Sequence, residues 1–386
     1  MGIQRLATFS LLAFSALMLS FCGGGSSNNT QTSSSTTQSP EILYVVNNGT
    51  VFTYSVDPNA LTANAVGAAV SLIPAEALIQ FVPSPDDHFL YVLWNDAQGK
   101  EHISVYSTDS SGVPQTPAAQ TLDVSSLYQF NIHRSGQFAY MMEVLNSNGL
   151  FTSQIRLFHV HPTSGILSED PEIQGSYGPS YDWPAALYGL SRDGSKLYLT
   201  FNSTQGLEYR ERSVNLRTGT LGPDIGLYTP GSHWGELVIG QKLLIDDYRP
   251  WNQSGYLDVF SNAPGPSHPI IHCTSAMFSA CETATNVQLD AFGHYLFLTD
   301  PNTQSIRVAQ IRMRTRRVVD TGGSFPFTAE IPGFSFSPDG TLVYAILASD
   351  NSVHIYGFNP ASGALTPGGS ALALPPSSGI CPALRQ

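Results

Sequence analysis

Four tryptophans, each set among acids, hydroxyls or a histidine, are the side chains of this sequence best suited to holding a ligand. Trp94 lies in WNDAQGKEH, Trp183 in SYGPSYDWPAA, Trp234 in TPGSHWGE and Trp251 in DDYRPWNQSGY. Tyr177, Tyr181, His233, Tyr248 and Arg249 accompany them, with Asp182, Glu236, Asp246 and Asp247 close by in the chain. A flat aromatic face beside a carboxylate suits a sugar, an aromatic ligand or a peptide. The competing reading is that each tryptophan packs under its own loop. His233 and Glu236 are the groups of this set that could activate water.

Other chemistry-bearing residues have simpler explanations. His159 and His161 share one face of a strand, a spacing that can grip a metal. His161, however, stands where Asp57, Asp109, Asn215 and Asn359 begin the same turn, so it reads as a turn residue. Arg312, Arg314, Arg316 and Arg317 form a basic knot that reads as a solvated edge discouraging strand pairing. Asp193 and Asp339 belong to Asp-Gly turns and read as turn caps, not calcium ligands. The sequence holds no phosphate-cradling glycine loop, nucleophile elbow or HExxH helix, and no metal or cofactor is expected.

What positions these residues is an internal repeat. Its clearest copy runs Phe334, Ser335, Phe336, Ser337, Pro338, Asp339, Gly340, then Leu342, Val343, Tyr344. Pro-Asp-Gly supplies the fixed and positive φ angles that a tight turn between strands needs. Further copies are FVPSPDDHFLYV (81–92), FNIHRSGQFAYM (130–141), YGLSRDGSKLYL (188–199) and VQLDAFGHYLFL (287–298). The apolar or aromatic marker of the second strand falls at Tyr44, Tyr91, Tyr140, Tyr198, Ile245, Phe297 and Tyr344, separated by 47 to 58 residues. A second register follows in HPTSGIL (161–167), NLRTGTL (215–221), RMRTRRV (312–318) and NPASGAL (359–365).

Units of this length built from four short strands predict an all-β, seven-bladed β-propeller over residues 41–386, with four antiparallel strands per blade. Residue 41 enters at the second strand of a blade. The tail GICPALRQ (379–386) is therefore expected to supply the missing inner strand and close the ring, which would put Cys381 beside the channel. In such a blade the Asp-Gly and Ser-Gly turns point one way. The loops from second to third strands, and those between blades, emerge on the other face, and all four tryptophans fall in that second group.

LYVVNNGTVFTYSVDPNALT and LVYAILASDNSVHIYGFNPASGALT resemble repeats of the lactonase-like propeller family, which includes bacterial 6-phosphogluconolactonases and surface proteins with YVTN repeats. The resemblance covers essentially all of 41–386 and implies either lactone hydrolysis or pure binding. The gluconolactonase members carry a Pro-Arg-His run that enters an inner strand and places a histidine at the channel mouth. The matching positions of this sequence are Gln80, Gln129, Leu187, Asn286 and Gly333, none of which is a general base. Amides recognise hydroxyls and carbonyls. The expectation is therefore a non-enzymatic protein binding a small molecule, glycan or protein partner through the aromatic loop face. A lactonase-like hydrolase and a structural envelope spacer are the alternatives.

Upstream of the repeat the chain carries an address. Arg5 precedes the apolar run Leu6 to Phe21, and Cys22 follows, so residues 1–21 resemble a bacterial lipoprotein signal with Cys22 as the lipidated residue. Residues 22–40 hold neither a large apolar side chain beyond Cys22 nor a charge, and read as a disordered Ser/Thr/Gly tether reaching roughly 20–25 Å. The expected location is the cell envelope, at the outer membrane on its periplasmic or surface side, with the lipid as sole membrane contact and the protein monomeric. Cys273 and Cys281 are the expected disulfide of an oxidising compartment. A net charge of −12, with only 12% of residues charged, disfavours nucleic acid as a partner.

Overall fold

The marker strands are continuous apolar runs because both of their faces are covered. In the computed structural model, Phe89–Asn95 is buried through its first five residues, and Tyr295–Asp300 along its whole length. Such a strand cannot have one wet face; it must lie between two neighbouring sheets. Third strands carry more partly exposed positions, as in Ser352–Asn359, since they lie farther out.

The structure describes residues 41–383 apart from positions 48, 149, 192, 240–242, 338 and 370 and the stretches 74–77, 125–126, 181–185, 204–205, 229–234, 249–255, 262–270, 283–286, 291–292, 327–332, 348–351 and 375–378. The described residues are all-β save for one 3-10 turn at Ser279–Glu282. They form seven antiparallel sheets of four or five strands, numbered 1 to 7 along the chain. Sheet 2 is typical, running Leu78–Pro83, Phe89–Asn95, Glu101–Ser107 and Gln120–Val124 in order. Sheet 3 begins with Leu127–Ile132, sheet 4 with Ala186–Leu190, sheet 5 with Gly235–Ile239, sheet 6 with Val287–Leu289 and sheet 7 with Gly333–Phe336. Sheet 1 starts at Glu41–Asn47, and the C-terminal strand Gly379–Ala383 lies against it, with Cys381 opposite Tyr44.

The apolar side chains form clusters between successive sheets. Tyr44 packs with Phe81 and Val92 across sheets 1 and 2, and Tyr91 with Phe130 and Phe158 across sheets 2 and 3. Equivalent clusters join sheets 3 and 4, 5 and 6, and 6 and 7, while Tyr344 of sheet 7 packs with Leu43 of sheet 1. Each buried Leu, Ile or Phe adds roughly 1.5–3 kcal/mol.

Two hydrogen-bond devices repeat with the sheets. In the first turn, Ser191 donates to Asp193 at 2.6 Å and its Oγ accepts the Lys196 amide at 2.9 Å; Ser337, Asp339 and Leu342 repeat this at 2.6 and 2.8 Å. The aspartates are thus turn caps, as their Asp-Gly setting predicts. The second device ties neighbours: the marker hydroxyls of Tyr44, Tyr91 and Tyr140 donate to the carbonyls of Gly112, Gly165 and Gly219 at 2.9, 3.0 and 2.6 Å. Each acceptor lies in the outer turn of the following sheet. Glycine is required there twice over: at Gly219 φ is +77°, and a Cβ would stand 2.7 Å from the Phe138 ring.

Candidate functional site

The first strands stand side by side. Gly379–Ala383 neighbours both Leu78–Pro83 and Gly333–Phe336; Leu127–Ile132 neighbours Leu78–Pro83 and Ala186–Leu190; Gly235–Ile239 neighbours Val287–Leu289. Strand register then identifies the equivalent position in each sheet. The residue opposite the second position after the marker is Gly379 in sheet 1, Gln80 in sheet 2, Gln129 in sheet 3, Ala186 in sheet 4, Glu236 in sheet 5 and Gly333 in sheet 7. Asn286, the sheet 6 counterpart, lies outside the described residues. These positions therefore carry Gln80, Gln129 and Glu236 beside the small residues Gly379, Ala186 and Gly333.

Two sequence expectations change at this level. Leu187 was matched to it, but sheet 4 carries a β-bulge between Leu187 and Gly189, which brings Ala186 there instead. More important, sheet 5 contributes a carboxylate. Glu236 pairs with Asp247, two residues after the marker Ile245, so a residue able to take a proton does belong to this set. The sequence marks Glu236 as a candidate base but does not place it in this register, because only four residues separate Ile239 from Leu244 where six separate Pro83 from Leu90, and because the sheet 5 marker is not aromatic.

The two glutamines differ. Gln80 reaches the next sheet and brackets one residue, donating from Nε2 to the Phe130 carbonyl at 2.9 Å and accepting the Phe130 amide on Oε1 at 3.0 Å. It thereby acts as a peptide-like clamp between first strands. Gln129 would address the backbone near Leu187, where the bulge breaks the regular edge, and its Oε1 is shut from solvent with no hydrogen-bond partner among the described residues. A buried acceptor in that state carries a desolvation cost.

Trp94 is committed to its own sheet. Its ring stacks on His102 with centroids 4.6 Å apart, and its indole N–H donates to Ser104 Oγ at 3.0 Å. Trp94, His102 and Asp123 are directly opposite one another on three adjacent strands, so the cluster is a cross-strand row. His102 lies between Asp96 at 3.2 Å and Asp123 at 3.0 Å. Asp96 is held below the usual carboxylate range first by the Lys100 amide, and Asp123 by the Lys100 ammonium bonded to it. Tyr177 is likewise structural, donating to Asp224 Oδ1 at 2.9 Å, with Arg212 Nε 3.2 Å from the same oxygen. Burial pushes the Tyr177 phenol upward.

Tyr181, Asp182, Trp183, His233, Trp234, Arg249 and Trp251 lie outside the described residues. Tyr248 is placed only by its backbone, opposite Gly235 and Tyr256. His161 accepts the Gly165 amide on its carbonyl at 2.8 Å, as Asn215 and Asn359 do with Gly219 and Gly363, which makes it a turn residue. Among the described residues no three His, Cys, Asp or Glu side chains converge as metal ligands. Arg312, Arg314, Arg316 and Arg317 are exposed on the outer hairpin of sheet 6. Cys273 and Cys281 are disulfide-bonded, with Cα atoms 5.8 Å apart.

No protein-family model and no curated protein matches the sequence. Solved structures do. A Bacteroides uniformis protein assigned as a 6-phosphogluconolactonase is 15% identical, with TM-score 0.59 over 88% of this chain and 99% of its own. A Bacteroides fragilis protein with the same assignment is 14% identical, with TM-score 0.57 over 90% and 99%. The periplasmic gluconolactonase of Pseudomonas aeruginosa is 14% identical, with TM-score 0.56 over 89% and 99%. At such identities the likeness speaks to architecture and not to activity. Over the 88–90% of its length that these structures cover, the chain has the fold of the lactonase-like β-propellers.

Proposed function

We propose that the seven sheets are the blades of one propeller closed by Gly379–Ala383, and that the molecule is a lactonase-like hydrolase of a sugar lactone. Closure is supported by the core shared between sheets 7 and 1 and by the C-terminal strand lying between the first strands of sheets 7 and 2. The observation that carries the activity is the register of Glu236, a carboxylate level with Gln80 and Gln129 among small residues. The gluconolactonase named among the structural neighbours favours the same chemistry.

In this reading the Glu236 carboxylate takes a proton from water as the water oxygen attacks the lactone carbonyl carbon. The tetrahedral intermediate then expels the ring oxygen, breaking the ring C–O bond. That oxygen receives the proton back and leaves as a hydroxyl, giving the aldonic acid. The non-enzymatic aromatic-face binder is the weaker reading, since Trp94 has one ring face on His102 and its N–H on Ser104. Export through the signal of residues 1–21, anchoring at Cys22 and an outer-membrane location complete the proposal, and a disulfide suits an oxidising compartment.

The test is hydrolysis of glucono-1,5-lactone, followed by proton release, in wild type and Glu236→Gln. A loss of about 100-fold or more in kcat supports the assignment. Background hydrolysis in both proteins defeats it.

A further inference from the structure

We infer that the outer turn of sheet 6, residues 312–317, is a contact surface for the phosphate headgroups of an anionic lipid bilayer. The choice of lipid rests on the anchoring at Cys22 proposed above; the charge and exposure of the turn do not. Arg312, Arg314, Arg316 and Arg317 are all exposed, in a chain of net charge −12. Cations elsewhere on the sheets are paired with carboxylates: Arg156 with Glu143 and Glu169, Arg212 with Asp224, Arg307 with Asp300 and Asp320. Among the described residues no carboxylate pairs with the four arginines of the turn, and Arg312 Nε donates to Gln310 Oε1 at 2.9 Å. The neighbouring turns outside the described residues, 262–270 of sheet 5 and 291–292 of sheet 6, contain no acidic residue.

This turn departs from its counterparts in a way that favours outward side chains. The Ile311 and Val214 amides donate to the carbonyls of His294 and Ser195, both at 2.8 Å, so Arg312 and Asn215 begin equivalent turns and Arg316 stands where Gly219 does. Arg316 holds a left-handed φ of +52°, which glycine adopts freely and arginine only at a cost. Elsewhere a tyrosine of the preceding sheet closes on the turn, as Tyr140 does on Gly219. The preceding marker here is Ile245, which has no hydroxyl to donate. The sheet 6 turn is thereby released from the tie that calls for glycine.

Bare apolar side chains accompany the charge. Met313 is 41% exposed between Arg312 and Arg314, and its counterpart Leu216, beside Arg217 in sheet 4, is 55% exposed. Arginines flanking an apolar tip fit a bilayer surface, where guanidinium groups meet phosphates and the apolar chain reaches past them. An acidic protein would satisfy the arginines but give Met313 no apolar surroundings. The outer turns lie at the same end of the sheets as Glu41, because second strands begin and third strands end there. A tether reaching roughly 20–25 Å keeps that end within range of the lipid. The exposed acids Asp57 and Asp109 belong to the turns of sheets 1 and 2, so contact is made by the sheet 6 turn and not by the whole face.

The experiment is flotation of the full mature chain carrying Cys22→Ser, which no acyl chain can hold to lipid, with vesicles of phosphatidylcholine or of phosphatidylglycerol. The expected result at low salt is binding about tenfold or more tighter to phosphatidylglycerol, lost at high salt as screening shortens the reach of the charges. Replacing all four arginines by glutamine should bring binding down to the phosphatidylcholine value. Met313→Ser, which leaves the charge intact, should weaken binding about threefold and carries the test if the fourfold variant does not fold. Equal binding to both vesicles, binding to neither, or undiminished binding by the variants would overturn the inference. Binding to polyglutamate and not to vesicles would give the turn to an acidic protein and overturn it as well. The mass of the exported wild-type protein reads the anchor separately: an unmodified Cys22 removes the anchoring reading, while the vesicle result stands on its own.

Discussion

Tyr140 donates its hydroxyl to the Gly219 carbonyl at 2.6 Å, tying sheet 3 to the outer turn of sheet 4. Tyr140 is fully buried, so removing the hydroxyl strands the carbonyl without water. Tyr140→Phe should cost about 1–2 kcal/mol, read as a lower urea midpoint with little change in slope. Gly219→Ala should cost more, through both the strained φ and the Phe138 ring. An unchanged midpoint in Tyr140→Phe would show that the tie contributes nothing.

Glu41 gives a pH dependence of defined sign. It is 3% exposed, and its carboxyl is pushed well above the ordinary range first by burial, then by Asp339 and Asp87, with Tyr344 opposing. The folded state thus holds the Glu41 proton more tightly than the unfolded chain does. Its stabilising contribution is complete below the ordinary carboxylate range and is lost as pH rises through the raised value. Glu41→Gln should therefore gain on wild type in thermal midpoint as pH is raised from 4 toward 8. A constant difference across that interval would exclude the proton's role.

The two glutamines should differ in what they contribute to stability. Gln80→Ala removes both bonds to Phe130 and should lower stability by about 1–3 kcal/mol. Gln129→Leu removes a buried acceptor with no partner among the described residues and should leave stability level or slightly improved. Denaturation midpoints of the two variants check both. The reverse pattern would exchange the roles.

The Cys273–Cys281 bond closes a loop of sequence separation 8, and a Cys273→Ala, Cys281→Ala double variant should lose about 2–3 kcal/mol. Both sulfurs are buried, so reductant should act slowly on the native protein and quickly once it unfolds. Thiol titration with and without urea distinguishes the two.

The architecture was legible because the markers and turns are chemically constrained: Tyr44, Tyr91 and Tyr140 need both a buried ring position and a carbonyl, and Asp193 and Asp339 need a turn. Sheet 5 was legible only in part: Glu236 stands out as a candidate base, but Ile245 lacks the hydroxyl and the first connection is shorter, so its register with Gln80 and Gln129 does not show in the sequence. The Gln80 clamp was invisible for a different reason. Its partner Phe130 is 50 residues away, and nothing in either local sequence announces a contact between neighbouring sheets. Trp94 was read as a ligand platform because composition reveals an aromatic ring but not that His102, across the hairpin, already covers it.

The pairing of first and last strands also gives the molecule a polarity. The chain enters sheet 1 at Glu41 and leaves it at Ala383, opposite Ile42, so both ends depart from the same edge. Val46 and Gly379, level with Glu236, lie at the far end of those two strands. A label fused at the C-terminus would therefore sit at that edge, away from the end of the sheets that carries Gln80 and Gln129.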